Sequence, residues 1–288
     1  MAEIKPGARS QQRGSRAPGS GNTAARVASA LVLAPIALGT GYFGGWPFAI
    51  FWAIAAVAVL WEWTAMVAGP GNRLVFSVGA GSLVAAAIIT ERGRPVAAML
   101  LVGLGAIAAA IVAPGDRRLW VTSGVCYAGV LLLAPLVLRA DEQWGFLVVI
   151  YLFTIVWTTD ILGFFAGRAI GGPKLAPSIS PGKTWAGAIA GAIGAIIVVA
   201  IGANFVPGSH GAVLVIVALL LSAGGQFGDL FESALKRRFG AKDASHLIPG
   251  HGGVMDRLDG FWAAALLGAV IGVMRGGFEA PARGLLIW

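Results

Sequence analysis

The sequence predicts an all-α, polytopic integral membrane protein of about nine transmembrane helices, with a polar site facing the cytoplasm. Three observations carry this reading. The 288 residues are 57% hydrophobic and only 12% charged, against about 25% charged in a soluble domain, and the mean hydropathy is +0.81. Apolar stretches recur at about 20 residues, the length a helix needs to cross the hydrocarbon core. They do not alternate as barrel strands do over about 10 residues: "AIAAVAVLW" and "AVLVIVALLLSA" are apolar throughout. Backbone groups in lipid must be satisfied internally, which leaves the helix.

Taken in order, residues 1–25 are rich in Gly, Ser, Gln and Arg and read as a disordered basic arm. Their polar stretch is too long for a signal peptide, and no small-residue cleavage site follows "ALVLAPIALG". Apolar segments follow at 26–43, 47–67, 74–90, 95–113 and 119–138, giving an N-terminal transmembrane region over 26–143. The first two are also compatible with one re-entrant unit. Cys126, the single cysteine, lies in the fifth and reads as a small buried hydrophobe. The C-terminal region, 144–288, holds segments 144–163, 184–204, 211–228 and 260–275, with cytoplasmic loops expected at 160–183 and 229–259. Gly163/Gly167, Gly187/Gly191 and Gly268/Gly272 have the four-residue spacing that lets membrane helices approach closely.

The net charge of +8 would suggest nucleic acid for a soluble protein. In a membrane protein it sets topology and meets anionic headgroups, so no nucleic-acid partner is expected. With nine spans and the N-terminus inside, only Arg92, Arg94, Arg139, Arg275 and Arg283 of the 21 Lys and Arg fall outside. The positive-inside rule supports that orientation, in the cell (inner) membrane.

Several motif matches fail on context. "GTGYFG" (Gly39 to Gly44) lies inside an apolar span with no preceding strand, and "PGKT" (Pro181 to Thr184) lacks the first glycine of a phosphate loop. His246 and His251, five apart with no cysteine near, do not make a zinc site.

Two polar stretches remain, Thr158 to Thr184 and Gly225 to Gly260. Asp160 and Asp229 stand at the ends of apolar spans, where an ionisable group points to function. Asp229, Glu232, Ser233, Lys236 and Arg237 are spaced by three and four, so a helix would array acids and cations on adjoining faces. Asp256 and Asp259 are three apart at the entry of the last span. Oxygen ligands without thiolate favour Mg²⁺, and the neighbouring lysines and arginines suit phosphate oxygens. The glycines of "PGHGG" permit tight turns and close backbone approach to a ligand. The chemistry implied is phosphoryl or nucleotidyl transfer to a lipid.

"SALKRRFGAKDASHLIPGHGGVMDRLD" (Ser233 to Asp259) resembles the signature of the phosphatidate cytidylyltransferase (CDP-diacylglycerol synthase) family. Ser233, Lys236, Arg237, Lys242, Asp243, His251, Gly252, Gly253, Asp256, Arg257 and Asp259 match in register. "GDLFES" (Gly228 to Ser233) and "KLAPSISPGKTWAG" (Lys174 to Gly187) are similar too. Departures are Gly172, Gly182 and Ala186, where members often carry basic, lysine and glutamate residues respectively. The resemblance implies that CTP and phosphatidate give CDP-diacylglycerol and pyrophosphate, with Mg²⁺, in a homodimer embedded in membrane lipid. Asp229, Asp256 and Asp259 are the expected metal ligands, and Lys236, Arg237, Lys242, Arg257 and Lys183 the phosphate contacts. Asp160 and Asp243 would either orient these cations or bind the metal through water. His251 has either a phosphate or the Gly-Gly turn to serve. Lys174, Ser180, Ser233, Gly252 and Gly253 complete the substrate site.

Competing readings are nucleotidyl transfer to another lipid phosphate and secondary transport of an anion. Transport would call for related halves with broken spans, which the sequence lacks. A CDP-alcohol phosphotransferase would require an Asp-Gly-x-x-Ala-Arg stretch, also missing.

Overall fold

The computed structural model describes residues 20–288 apart from 70–71 and 249–251, with the side chains of 20–28 and 30 also outside the description. The first half forms α1 (Ser20–Phe43), α2 (Gly45–Ala68), α3 (Arg73–Glu91), α4 (Pro95–Val112) and α5 (Arg118–Arg139). The second half opens with α6 (Gly145–Ile170) and a hairpin of β1 (Lys174–Ala176) and β2 (Ser180–Thr184). It continues with α7 (Trp185–Ala203), α8 (Gly211–Arg238), α9 (Met255–Gly276) and a short α10 (Pro281–Leu286). Among the described residues eight helices, α2 to α9, are long and apolar enough to span a membrane, whereas the apolar part of α1 is the shorter Leu31–Phe43. Helix α1 already begins at Ser20, inside the arm expected to be disordered, and residues 1–19 lie outside the described residues.

The largest departure from expectation is at the polar stretches. Residues 160–170 continue α6, 229–238 continue α8, and 255–259 open α9. The stretch 174–184 is an antiparallel hairpin pairing Lys174 with Thr184 and Ala176 with Ser180. Hydropathy ends where charges begin, but helical hydrogen bonds do not, so these helices carry their charges past the apolar region.

Helix α5 is the central post, with 78% of its apolar window buried against 28% for α4 and α7. Aromatic stacking locks α9 to its neighbours. Phe261 lies between Trp52 of α2 and Phe153 of α6, at 4.9 and 4.8 Å between ring centroids. Trp262 stacks on Tyr127 of α5 at 4.5 Å and donates its Nε1–H to the Tyr127 carbonyl at 2.9 Å. Such ring pairs add about 0.5–1.5 kcal/mol beyond the area they bury. Cys126 breaks the expectation of burial: it is exposed on the bundle exterior, where an apolar side chain costs little against lipid.

Glycines close the remaining seams. A Cβ on Gly187 would lie 2.5 Å from the Gly163 carbonyl, and one on Gly191 2.5 Å from that of Thr159, so α6 and α7 meet backbone to backbone. Thr184 caps α7 by accepting the Gly187 N–H at 3.1 Å. At the opposite end of the bundle, Arg139 donates to the Gly41 and Tyr42 carbonyls. Asp141 accepts the Gln143 and Trp144 N–H groups in the turn before α6 and also the Arg283 N–H at 3.1 Å.

Candidate active site

Helices α8 and α9 touch through Gly225 and Gly260, where a Cβ on either would lie 3.3 Å from the other's carbonyl oxygen. One turn on, Gly228 packs directly against the Asp259 carbonyl. This contact sets the site. The next residue of α8 is Asp229, Glu232 follows a turn later, and Asp259 faces them from α9. One carboxylate oxygen from each of these three lies within 4.8 Å of the others. Glu232 is fully buried, and its Oε1 has no hydrogen-bond partner among the described residues. Its Oε2 lies 2.9 Å from the Lys236 ammonium. Three crowded carboxylates with an orphaned buried oxygen form an oxygen donor set fitted to a divalent cation.

Beside this cluster is a cleft of about 850 Å³ between α6, the hairpin, the start of α7, and the facing ends of α8 and α9. Its walls bring together Asp160, Lys174, Ser180, Lys183, Asp229, Lys236, Asp243, Asp256, Arg257 and Asp259, all expected from the sequence. Lys183, carried by β2, forms an ion pair with Asp229. Arg168 and Gln226 also line the cleft and were missed. Arg168 sits in the last turn of α6, in a stretch read as loop. The Gln226 amide donates to the Ala188 carbonyl at 3.3 Å, tying α8 to α7.

Other expected site residues are placed differently. Both oxygens of Asp256 are engaged: Oδ1 accepts the Lys236 ammonium at 2.5 Å, and Oδ2 accepts the Ala244 and Gly253 N–H groups at 3.0 and 2.7 Å. Asp256 therefore ties Ala244, Gly253 and Lys236 together and stands outside the three-carboxylate group, where Glu232 takes the place expected for it. Lys236 is 8% exposed and neutralises Glu232 and Asp256 rather than projecting freely toward phosphate. Arg237 donates to the Ala241 carbonyl at 3.0 Å, and Lys242 is exposed; neither lines the cleft. Ser233 bonds back to Asp229 across one helical turn at 3.4 Å.

Gly252 and Gly253 serve carboxylates of the protein. Gly252 has φ +88°, and a Cβ there would lie 2.8 Å from Asp256 Oδ2; one on Gly253 would lie 2.6 Å from Glu62 Oε1. His251 lies outside the described residues. Glu62 is the other miss: fully buried in α2, it bonds to Ser245, Val254 and Met255. The signal was present, because a lone glutamate within "VLWEWTAM" is an ionisable group inside a span. Among the departures, a side chain at Gly182 would meet nothing within 4 Å, so glycine there removes a cation without altering packing.

The cytidylyltransferase family matches residues 24–274 of the chain. A phosphatidate cytidylyltransferase of Brucella abortus biovar 1 (strain 9-941) is 42% identical over 251 residues, covering 85% of this chain and 92% of that protein. One from Haemophilus influenzae is 35% identical over 274 residues, covering 83% and 94% respectively. One from Staphylococcus haemolyticus is 41% identical over 138 residues, covering 48% and 52%.

Proposed function

The chain belongs to the cytidylyltransferase family, and from that premise we infer its reaction. It transfers the cytidylyl group of CTP to phosphatidate, giving CDP-diacylglycerol and pyrophosphate in phospholipid biosynthesis. A phosphatidate phosphate oxygen forms a bond to the α-phosphorus of CTP, and the α–β bridging bond breaks to release pyrophosphate. The nucleophile is already anionic, so no strong general base is needed. The protein's task is to hold two repelling anions in line. The observation that carries the reading is the pairing of three carboxylates with a cation-lined cleft at one end of an apolar bundle.

Within this reading, Asp229, Glu232 and Asp259 hold Mg²⁺, which when bound supplies charge neutralisation at the phosphates. Lys174, Lys183, Arg168 and Arg257 bind phosphate oxygens from the hairpin and the flanking helices. Asp160 and Asp243 orient these cations, and Asp256 with Lys236 holds the loop wall. The site faces the cytoplasm of the inner membrane, supported by the five basic residues assigned to the other side. The chain works as a homodimer, as the family resemblance implies. Crosslinking in native membranes checks this, and a monomer throughout would remove it.

The deciding assay offers the purified full chain in detergent labelled CTP, phosphatidate and Mg²⁺. Lipid-extractable label dependent on all three is the expected result. Label that appears equally without phosphatidate, or not at all, would overturn the proposed acceptor or the reaction.

A further inference from the structure

Glu62 belongs to α2, far in sequence from the signature that marks the site, yet its two oxygens collect three donors from that signature. Oε1 accepts the Ser245 hydroxyl at 2.5 Å and the Val254 N–H at 2.8 Å, and Oε2 accepts the Met255 N–H at 2.7 Å. The Val254 and Met255 N–H groups are among the free donors at the start of α9, where a negative charge is favoured by the helix dipole. Asp256 gathers the Ala244 and Gly253 N–H groups of the same segment from the other side. Residues 244–245 and 253–255 are thereby held between two carboxylates. They follow Asp243 in the cleft wall and lead into α9 four residues before Asp259.

We infer that Glu62 is a positioning residue for the transferase reaction, an anchor in α2 that holds residues 244–245 and 253–255, and through them Asp243, Asp256 and Asp259, in register with α8. The effect on turnover rests on the function proposed above; the anchoring rests on the hydrogen bonds alone. Packing by itself would be served by an apolar side chain, whereas a carboxylate within a span is costly unless its charge is used. Glutamine cannot substitute fully. Its amide nitrogen would turn a donor toward a backbone N–H that now has an acceptor.

The test compares wild type, Glu62→Gln, Ser245→Ala and the double variant as full chains in detergent. Amide hydrogen exchange and steady-state kinetics with CTP and phosphatidate are measured on each. In Glu62→Gln, exchange should quicken at 244–247 and 253–255 while α3, α4 and α7 keep their protection. Its kcat should fall about 10-fold or more, with KM for CTP within about twofold of wild type. Ser245→Ala should fall less, and the double variant should be no worse than Glu62→Gln, as expected for two ends of one interaction. Wild-type protection of 244–247 and 253–255 in Glu62→Gln, or effects that multiply independently in the double variant, would overturn the anchor. If Glu62→Gln does not fold, Ser245→Ala decides: faster exchange at 244–247 supports the anchor, and unchanged exchange with unchanged kcat overturns it. A wild-type protein inactive on CTP and phosphatidate would instead sink the proposed reaction, leaving the exchange comparison to judge Glu62.

Discussion

At Asp256 both carboxylate oxygens already have partners, whereas at Glu232 one buried oxygen has none. That contrast predicts two kinds of variant. Asp229→Asn and Glu232→Gln should raise the Mg²⁺ concentration for half-maximal turnover by about 10-fold or more. Asp256→Asn should lower kcat yet leave that midpoint within about threefold, because it disturbs the loop and Lys236 rather than the cation's ligands. Mn²⁺ binding followed by electron paramagnetic resonance should give the same order without relying on activity. A midpoint shift in Asp256→Asn as large as that of Glu232→Gln would return Asp256 to the metal ligands. The sequence made Asp229 and Asp259 visible by type and spacing. It could not separate Asp256 from Asp259, because residues three apart share a helix face, and only the approach of Gly228 to the Asp259 carbonyl selects which one joins Asp229 and Glu232.

At the scale of elements, the apolar runs were legible to within a few residues, and the spacing from Asp229 to Arg237 made the end of α8 legible as helix, while the polar ends of α6 and α9 were not. Charge interrupts a hydropathy pattern without interrupting a helix, and the 174–184 hairpin has too few residues to show a strand period. The glycine seams are the more consequential element. Gly228→Ala places a methyl against the Asp259 carbonyl and 2.8 Å from Ala263 Cβ, so α8 must move off α9. The expected cost is about 1–3 kcal/mol of stability, with Mg²⁺-dependent turnover lost because Asp229 and Asp259 part. Gly81→Ala, in α3 with nothing within 4 Å of the added methyl, should instead be neutral or stabilise by about 0.5–1 kcal/mol. Thermal unfolding in detergent compares the two; equal effects would mean that the seam does not fix the site.

For the whole molecule, the alternation of spans puts the cleft at one end and Arg139 with Asp141 at the other. In a Cys126→Ser background, Lys242→Cys should react with an impermeant thiol reagent only from the cytoplasmic side, and Arg94→Cys only from outside. The reverse pattern in intact cells would invert the orientation. The sequence separates N-terminal spans, 26–143, from the motif-bearing half, 144–288. The packing of α2 and α5 against α9 joins the two parts into one core, a tertiary fact that no local pattern encodes. That joining also has a timetable. During synthesis α2 enters the membrane with Glu62 still waiting for acceptor-seeking groups, and Ser245 lies 183 residues later. At about 5–20 residues per second the nascent chain carries this unanswered carboxylate for roughly 10–40 s. Chains that stall before Ser245 lack all three of these donors and leave a polar group unanswered in an otherwise apolar helix.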